Sequence, residues 1–188
     1  MTKVLMRSVC VGAILAATGI SAASAQQTIA PASATPVPGP MPDILQKYAP
    51  VTAERLKKPE NGNWLMFRRT YDGWGYSPLE EINRDNVSRL QPVWSFATGQ
   101  TEGHQAPPIV NNGVMFVATP GNQLLAIEAK TGNVLWRYKR PFPEDMTPLH
   151  PTNRGVGLYG DKVYFAAAEA ILVALDAKTG GSMDGDGR

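Results

Sequence analysis

The chain has 188 residues, of which 18 are basic and 16 acidic, and 43% are hydrophobic. This length is enough for one ordinary domain, and the near balance of charge excludes the basic surface expected of a nucleic-acid-binding protein. Cys10 is the single cysteine, which excludes a fold held together by internal disulfides.

The first 25 residues have the three parts of a secretory signal peptide. Lys3 and Arg7 form a positive N-terminal region, residues 9–20 carry no charge, and Ala23-Ser24-Ala25 fits a cleavage site. The uncharged stretch is shorter than the roughly 20 residues that a stable membrane span needs. Cleavage after Ala25 would remove Cys10 and leave 16 basic and 16 acidic residues. We therefore expect a periplasmic protein without cysteine.

Residues 26–62 are predicted to precede the main folded region. From Gln26 to Pro42 the chain is rich in Pro, Ala, Ser and Thr, which predicts an extended and mobile leader. Residues 43–56 are predicted to form short helical turns, and Thr52 is the candidate N-cap of one of them.

Residues 63–96 contain an aromatic-rich segment followed by a predicted strand. The segment places five aromatic side chains within thirteen residues, and we interpret it as packing at the start of a core: Trp64, Phe67, Tyr71, Trp74 and Tyr76. Residues 93–96, with the sequence VWSF, are predicted to form a strand that ends at Thr98-Gly99.

The remainder of the chain contains a repeated unit. The segment AIEAKTGNVLW (126–136) returns 48 residues later as ALDAKTGGSMD (174–184). Each copy follows a hairpin pattern, with turns at Asn112-Gly113 and Gly160-Asp161. A period in the forties, with several strands per unit, is typical of β-propeller blades. We predict an all-β fold in which residues 63–188 form about two blades of an incomplete propeller.

Four segments of the chain resemble one enzyme family: GYSPL (75–79), GHQAPPIVNNGVMFVATP (103–120), NRGVGLYGDKVYFAA (153–167) and LVALDAKTG (172–180). They resemble the N-terminal part of the pyrroloquinoline quinone (PQQ)-dependent alcohol dehydrogenases, periplasmic eight-bladed propellers of the methanol and ethanol dehydrogenase type. The repeated unit resembles the tryptophan-docking motif of that family, in which a Trp of one blade packs against a turn of the next blade.

The resemblance implies two cofactor-binding residues. Arg154 matches the Arg of the family's Asn-Arg-Gly motif, which pairs with the quinone, and a guanidinium is well shaped to bind a carboxylate of PQQ. Gln105 stands where the family usually has a Glu that hydrogen-bonds the cofactor, so this position can still donate and accept but carries no charge. Pro148 and Leu149 replace a vicinal cysteine pair found in many members, which indicates a subgroup.

No catalytic or metal-binding residue is predicted in this chain. The resemblance implies that the catalytic Asp and the ligands of a Ca²⁺ or lanthanide ion belong to later blades. His104 and His150 lack the partners of a metal site, and residues 184–187 lack the ligand spacing of a calcium loop.

The implied function is that of an N-terminal portion of a dehydrogenase that oxidises a primary alcohol and passes electrons to a cytochrome c. The chain alone is expected to be inactive, as the product of a truncated or frameshifted gene, and to self-associate through open blade edges. The alternative is a non-catalytic periplasmic β-propeller scaffold or assembly protein.

Overall fold

A computed structural model describes residues 33–36 and 39–182 of the chain. The predicted signal peptide and the tail from Met183 onward lie outside the described residues. The elements in chain order are strand β1 (Ser33–Pro36), helices α1 (Asp43–Gln46) and α2 (Ala53–Lys57), a 3-10 turn (Val87–Arg89), and strands β2 (Ile109–Asn111), β3 (Val114–Thr119), β4 (Gln123–Glu128), β5 (Val134–Lys139), β6 (Val156–Tyr159), β7 (Lys162–Ala166) and β8 (Leu172–Asp176).

The strands form two antiparallel sheets. The first has the order β1-β5-β4-β3-β2 and the second the order β6-β7-β8. We call strands β2 to β5 blade 1 and strands β6 to β8 blade 2. Each blade is a meander in which consecutive strands are hydrogen-bonded neighbours. This architecture confirms the prediction of an all-β, incomplete propeller.

Both predicted hairpins are present at the predicted turns. In blade 1, Asn111 pairs with Val114 across a two-residue turn in which Asn112 and Gly113 have φ values of 48° and 81°. Positive φ at both central positions is the conformation that Asn-Gly favours, because its twist matches that of the flanking strands. In blade 2, Tyr159 pairs with Lys162 across the second turn.

The core lies between the two blades. Along β3 the side chains of Val114, Phe116 and Ala118 point to one face of the sheet and are buried, as expected from the two-residue period of a strand. They belong to the same buried cluster as Val163 and Phe165 of β7. The rings of Tyr138 in blade 1 and Phe165 in blade 2 meet edge to face at 6.0 Å. Apolar burial of this kind is the main stabilising contribution to the contact between blades.

Two tryptophans dock on glycine turns further along the chain. The indole N–H of Trp136 donates to the carbonyl of Ala177 at 3.0 Å, and that of Trp94 donates to the carbonyl of Ala129 at the same distance. A Cβ added at Gly180 would lie 2.7 Å from Trp136, and one at Gly132 would lie 2.7 Å from Trp94. Each copy of the Ala-Lys-Thr-Gly turn is therefore a docking site for a tryptophan side chain.

A polar network holds the N-terminal helices against the hairpin turn of blade 1. Arg55 makes a two-pronged ion pair with Glu60, at 2.7 and 3.1 Å, and donates to the buried Asn111 side chain at 2.9 Å. Asn63 donates to Glu60 at 2.7 Å and accepts from the backbone N–H of Asn112 at 2.7 Å. The buried amides are thus satisfied, which avoids the penalty of unpaired polar groups.

The same N-terminal segment also contacts blade 2. Val51 and Gly160 exchange backbone hydrogen bonds of 2.8 and 2.7 Å, so the segment crosses the hairpin turns of both blades. The predicted helical turns and the Thr52 N-cap are confirmed, since Thr52 Oγ1 accepts from the N–H of Arg55. None of the described helices has the length and hydropathy to cross a membrane.

The structure corrects three local predictions, which concern the leader, the strand at residues 93–96 and the aromatic segment. Residues 33–36 of the expected mobile leader form strand β1, which pairs with β5 from Ser33–Lys139 to Pro36–Trp136. Residues 93–96 form no strand, because no described strand lies beside them to complete a ladder.

The aromatic segment does not pack at the start of a core. Trp64 is half-buried beside β2, but Phe67, Tyr71, Trp74 and Tyr76 are 62 to 81% exposed. The described part of the chain supplies no sheet face to cover them.

Replacing Gly180 by Ala should destabilise the fold by about 3 kcal/mol, because the new Cβ would clash with Trp136 and Ala disfavours a φ of 72°. Urea unfolding followed by tryptophan fluorescence measures this loss. Gly157→Ala is the control, since an added Cβ there is in ordinary contact with Tyr164 at 3.9 Å. Equal effects of the two substitutions would contradict the docking interpretation.

Replacing Glu60 by Gln should lower the free energy of unfolding by about 1 kcal/mol at neutral pH. The loss is kept this small because half of the Glu60 side chain is exposed, and water screens the ion pair. Hydrogen bonds from Arg55, and then from Asn63, lower the pKa of Glu60 from 4.5 to about 2. A lowered pKa in the folded state stabilises the protein above the unfolded pKa, and this contribution disappears as pH falls from 4.5 toward 2.

Urea unfolding of both proteins between pH 7 and pH 3 tests this pH dependence. Glu80→Gln is the control, because Glu80 is exposed and has no hydrogen-bonding partner among the described side chains. A Glu60→Gln effect that stays constant down to the lowest pH would contradict the proposed ion pair.

Candidate functional site

The two predicted cofactor residues lie at the same end of the blades. Gln105 is in the loop that precedes β2, and Arg154 is in the loop that precedes β6. Strands β2 and β6 both run from these loops toward their hairpin turns, so the loops lie at the end opposite those turns. The N-terminal helices cover the hairpin end and leave the loop end free of them.

The two loops touch although 49 residues separate Gln105 from Arg154. A Cβ added at Gly155 would lie 3.8 Å from Cδ of Pro107, an ordinary van der Waals contact. Both predicted side chains are exposed, and neither has a hydrogen-bonding or ion-pairing partner among the described residues. An exposed guanidinium and an exposed amide are thus available to a ligand at this end.

Asn153 shapes the loop that carries Arg154. Its Oδ1 accepts from the N–H of Gly155 at 2.8 Å, and its Nδ2 donates to the carbonyl of Ala166 at the end of β7 at 2.9 Å. Gly155 has a φ of 123°, which only glycine adopts readily. The Asn and Gly of the Asn-Arg-Gly motif therefore fix the backbone, and the Arg side chain between them stays in solvent.

His104 stabilises the loop that carries Gln105. Its Nε2 lies 2.8 Å from Thr98 Oγ1, and its Nδ1 lies 3.0 Å from the carbonyl of Glu102. The buried Gln123 side chain donates to the carbonyl of Thr98 at 3.2 Å and so ties this loop to blade 1. Both ring nitrogens of His104 are thus engaged within its own loop, and among the described residues no group of three or more His, Cys, Asp or Glu side chains could hold a metal ion.

Two cavities border the loop that carries Gln105. One, of about 640 Å³, is open and lined by residues 96–101 and His104. The other, of about 210 Å³, is apolar and lies between Trp94 and Phe96 on one side and the sheet residues Met115, Val117, Leu125 and Ile127 on the other. The apolar cavity lies on the face of blade 1 that points away from blade 2, between that face and the docked Trp94 segment.

A third group of residues at this end was not predicted. The Glu169 carboxylate pairs with Arg140 and accepts from Asn122 Nδ2 at 2.6 Å. Burial acts to raise the pKa of Glu169, but hydrogen bonds from its own N–H, Arg140 and Asn122 outweigh burial and lower the pKa. Asn122 and Glu169 stand 47 residues apart and meet only because the two blades pack side by side, so no local sequence pattern marks this pair.

Comparison with known proteins identifies the family. Residues 64–188 match the PQQ family described as "Glucose/ethanol/alcohol dehydrogenase, beta-propeller domain". The chain is 39% identical over 131 residues to quinoprotein alcohol dehydrogenase PedH of Pseudomonas putida, covering 68% of this chain and 22% of that protein. It is 43% identical over 108 residues to 1-butanol dehydrogenase (quinone) of Thauera butanivorans, covering 56% of this chain and 17% of that protein.

Solved structures give the same result. Quinohemoprotein alcohol dehydrogenase from Comamonas testosteroni has a TM-score of 0.65 at 31% identity, covering 74% of this chain and 21% of that one. A europium-containing methanol dehydrogenase has a TM-score of 0.62 at 32% identity, covering 69% of this chain and 23% of that one. The chain thus spans about a fifth of the length of these relatives. It belongs to the β-propeller family of the PQQ-dependent alcohol dehydrogenases.

Proposed function

We propose that this chain supplies the N-terminal blades of a periplasmic PQQ-dependent dehydrogenase that oxidises a primary alcohol, and that Gln105 and Arg154 contact the quinone. The observation that carries the proposal is the meeting of their two loops at one end of the blades. The names of the relatives favour this function over a non-catalytic scaffold.

The exposed groups at this end fit the chemistry of the cofactor. PQQ is a planar tricarboxylate, and a guanidinium presents two parallel N–H donors to a carboxylate. Arg154 has no competing acceptor among the described side chains, so binding would break no existing ion pair. Gln105 can donate to a quinone or carboxylate oxygen, but being neutral it adds orientation more than attraction.

The chain's own contribution is to hold and orient the quinone. PQQ, when bound, supplies the acceptor for the hydride that leaves the alcohol. Taking up the alcohol proton and polarising the quinone with Ca²⁺ or a lanthanide require a base and ligands that we assign to further blades, as we do the surface for cytochrome c. Neither an exposed arginine nor a glutamine can serve as that base at neutral pH, because neither accepts a proton there.

The mature chain, residues 26–188, should bind PQQ weakly and should not oxidise alcohols. Arg154→Ala should weaken PQQ binding by about tenfold or more, because it removes charge-assisted hydrogen bonds. Fluorescence titration with PQQ measures the affinity, and a dye-linked assay with PQQ and Ca²⁺ or a lanthanide measures turnover.

Arg84→Ala is the matched control for this titration, since Arg84 is also exposed and without a described partner but lies outside the two loops. The same loss of affinity for both variants would indicate only general charge attraction. Turnover above a blank without protein, abolished by Arg154→Ala, would show instead that these blades are catalytic by themselves.

A further inference from the structure

One turn of blade 2 is bonded directly to blade 1. This turn, residues 167–171, joins β7 to β8. Its Glu169 carboxylate pairs with Arg140, the residue that follows β5, and accepts from Asn122 in the β3–β4 turn at 2.6 Å. The N–H of Ala168 returns a bond of 2.9 Å to Asn122 Oδ1. The turns of the two blades are therefore locked together by one carboxylate and one amide.

The same two turns hold the loop that carries Arg154. Asn153 donates to the carbonyl of Ala166, the last residue of β7, which leads directly into the blade 2 turn. Pro151 accepts at 2.9 Å from the N–H of Gly121, the residue before Asn122 in the blade 1 turn. The loop that carries Arg154 is thus hydrogen-bonded at both the blade 1 turn and the blade 2 turn, and its geometry depends on how those turns are placed relative to each other.

Little water reaches the bonds that set this placement. The side chains of Glu169 and Arg140 are only 7% and 15% exposed. Charge-assisted hydrogen bonds in such surroundings are strong and directional, and removing one partner leaves the other charge buried and unpaired. The exposed Asp161–Lys162 pair at the other end of blade 2 lacks this protection, with side chains 53% and 33% exposed.

We propose that Glu169 is a positioning residue for Arg154: by tying the β7–β8 turn to Arg140 and Asn122, it fixes the loop 151–155 and so the direction of the guanidinium. The identity of the ligand rests on the proposed function, whereas the effect of Glu169 on the loop does not. Glu169 itself contacts no ligand in this proposal.

Hydrogen exchange on the mature chain tests the effect on the loop. Glu169→Ala should speed exchange of the Gly155 amide, which is bonded to Asn153, by about tenfold, and leave strands β3 to β5 unchanged. Glu169→Gln, which keeps an oxygen acceptor for Asn122, should have a smaller effect. Asp161→Asn is the matched control and should leave the loop as it is. Unchanged exchange in the loop, or faster exchange in every strand, would overturn the positioning role.

Titration with PQQ itself supplies the second measurement. Glu169→Ala should weaken binding about fivefold, and Glu169→Gln less. If Glu169→Ala loosens the loop but Arg154→Ala leaves PQQ binding unaltered, the quinone contact is wrong and the positioning role stands. If Arg154→Ala weakens binding while Glu169→Ala changes neither exchange nor affinity, the positioning role is wrong and the quinone contact stands.

Discussion

The arrangement of the blades depends on the contact between an indole ring and a glycine turn. Trp136 lies against Gly180 so closely that no side chain fits between them, and its N–H is satisfied by a carbonyl of the same turn. The close approach of the ring to Gly180 fixes the distance between the two sheets, and the hydrogen bond of the indole N–H fixes their relative orientation. Apolar packing of Phe116 and Phe165 stabilises the interface, but such packing alone is much less directional.

The two ends of the blades are stabilised by different means. At the hairpin end the N-terminal segment bridges both blades through Arg55, Asn63 and Val51, and the backbone there is occupied by internal hydrogen bonds. At the loop end the bridging bonds come from within the blades, through Asn122 and Glu169, and the side chains of Gln105 and Arg154 remain exposed. Long connecting loops held on a rigid sheet are where proteins commonly place binding groups.

The parts of the fold that were predictable from sequence are those encoded locally. Asn112-Gly113 has an intrinsic preference for the hairpin conformation, and the repeated Ala-Lys-Thr-Gly sequence identifies each turn on which a tryptophan docks. Strand β1 was not predictable, because a leader of this composition becomes a strand only where a distant partner, β5, offers an edge. The exposure of Trp74 likewise depends on what lies above it, which aromatic content does not encode. For the candidate site, family likeness predicted Arg154 as a cofactor contact, whereas only the structure revealed the buried pairing of Glu169.

Strand β1 has a consequence for how copies of this chain can associate. It occupies the β5 edge of blade 1, and the bridge between Trp64 and Val110 occupies part of the β2 edge. Pro36 lacks a backbone N–H, so the four-residue strand is itself a poor template for another one. Among the described strands, β6 and β8 are the two edges of blade 2, and each has only a single bridge near it: Val51–Gly160 just after β6 and Ser182–Leu175 at β8. Strand β1 therefore hinders the growth of a continuous sheet from chain to chain at the β5 edge of blade 1, whereas the described edges of blade 2 have no comparable strand beside them.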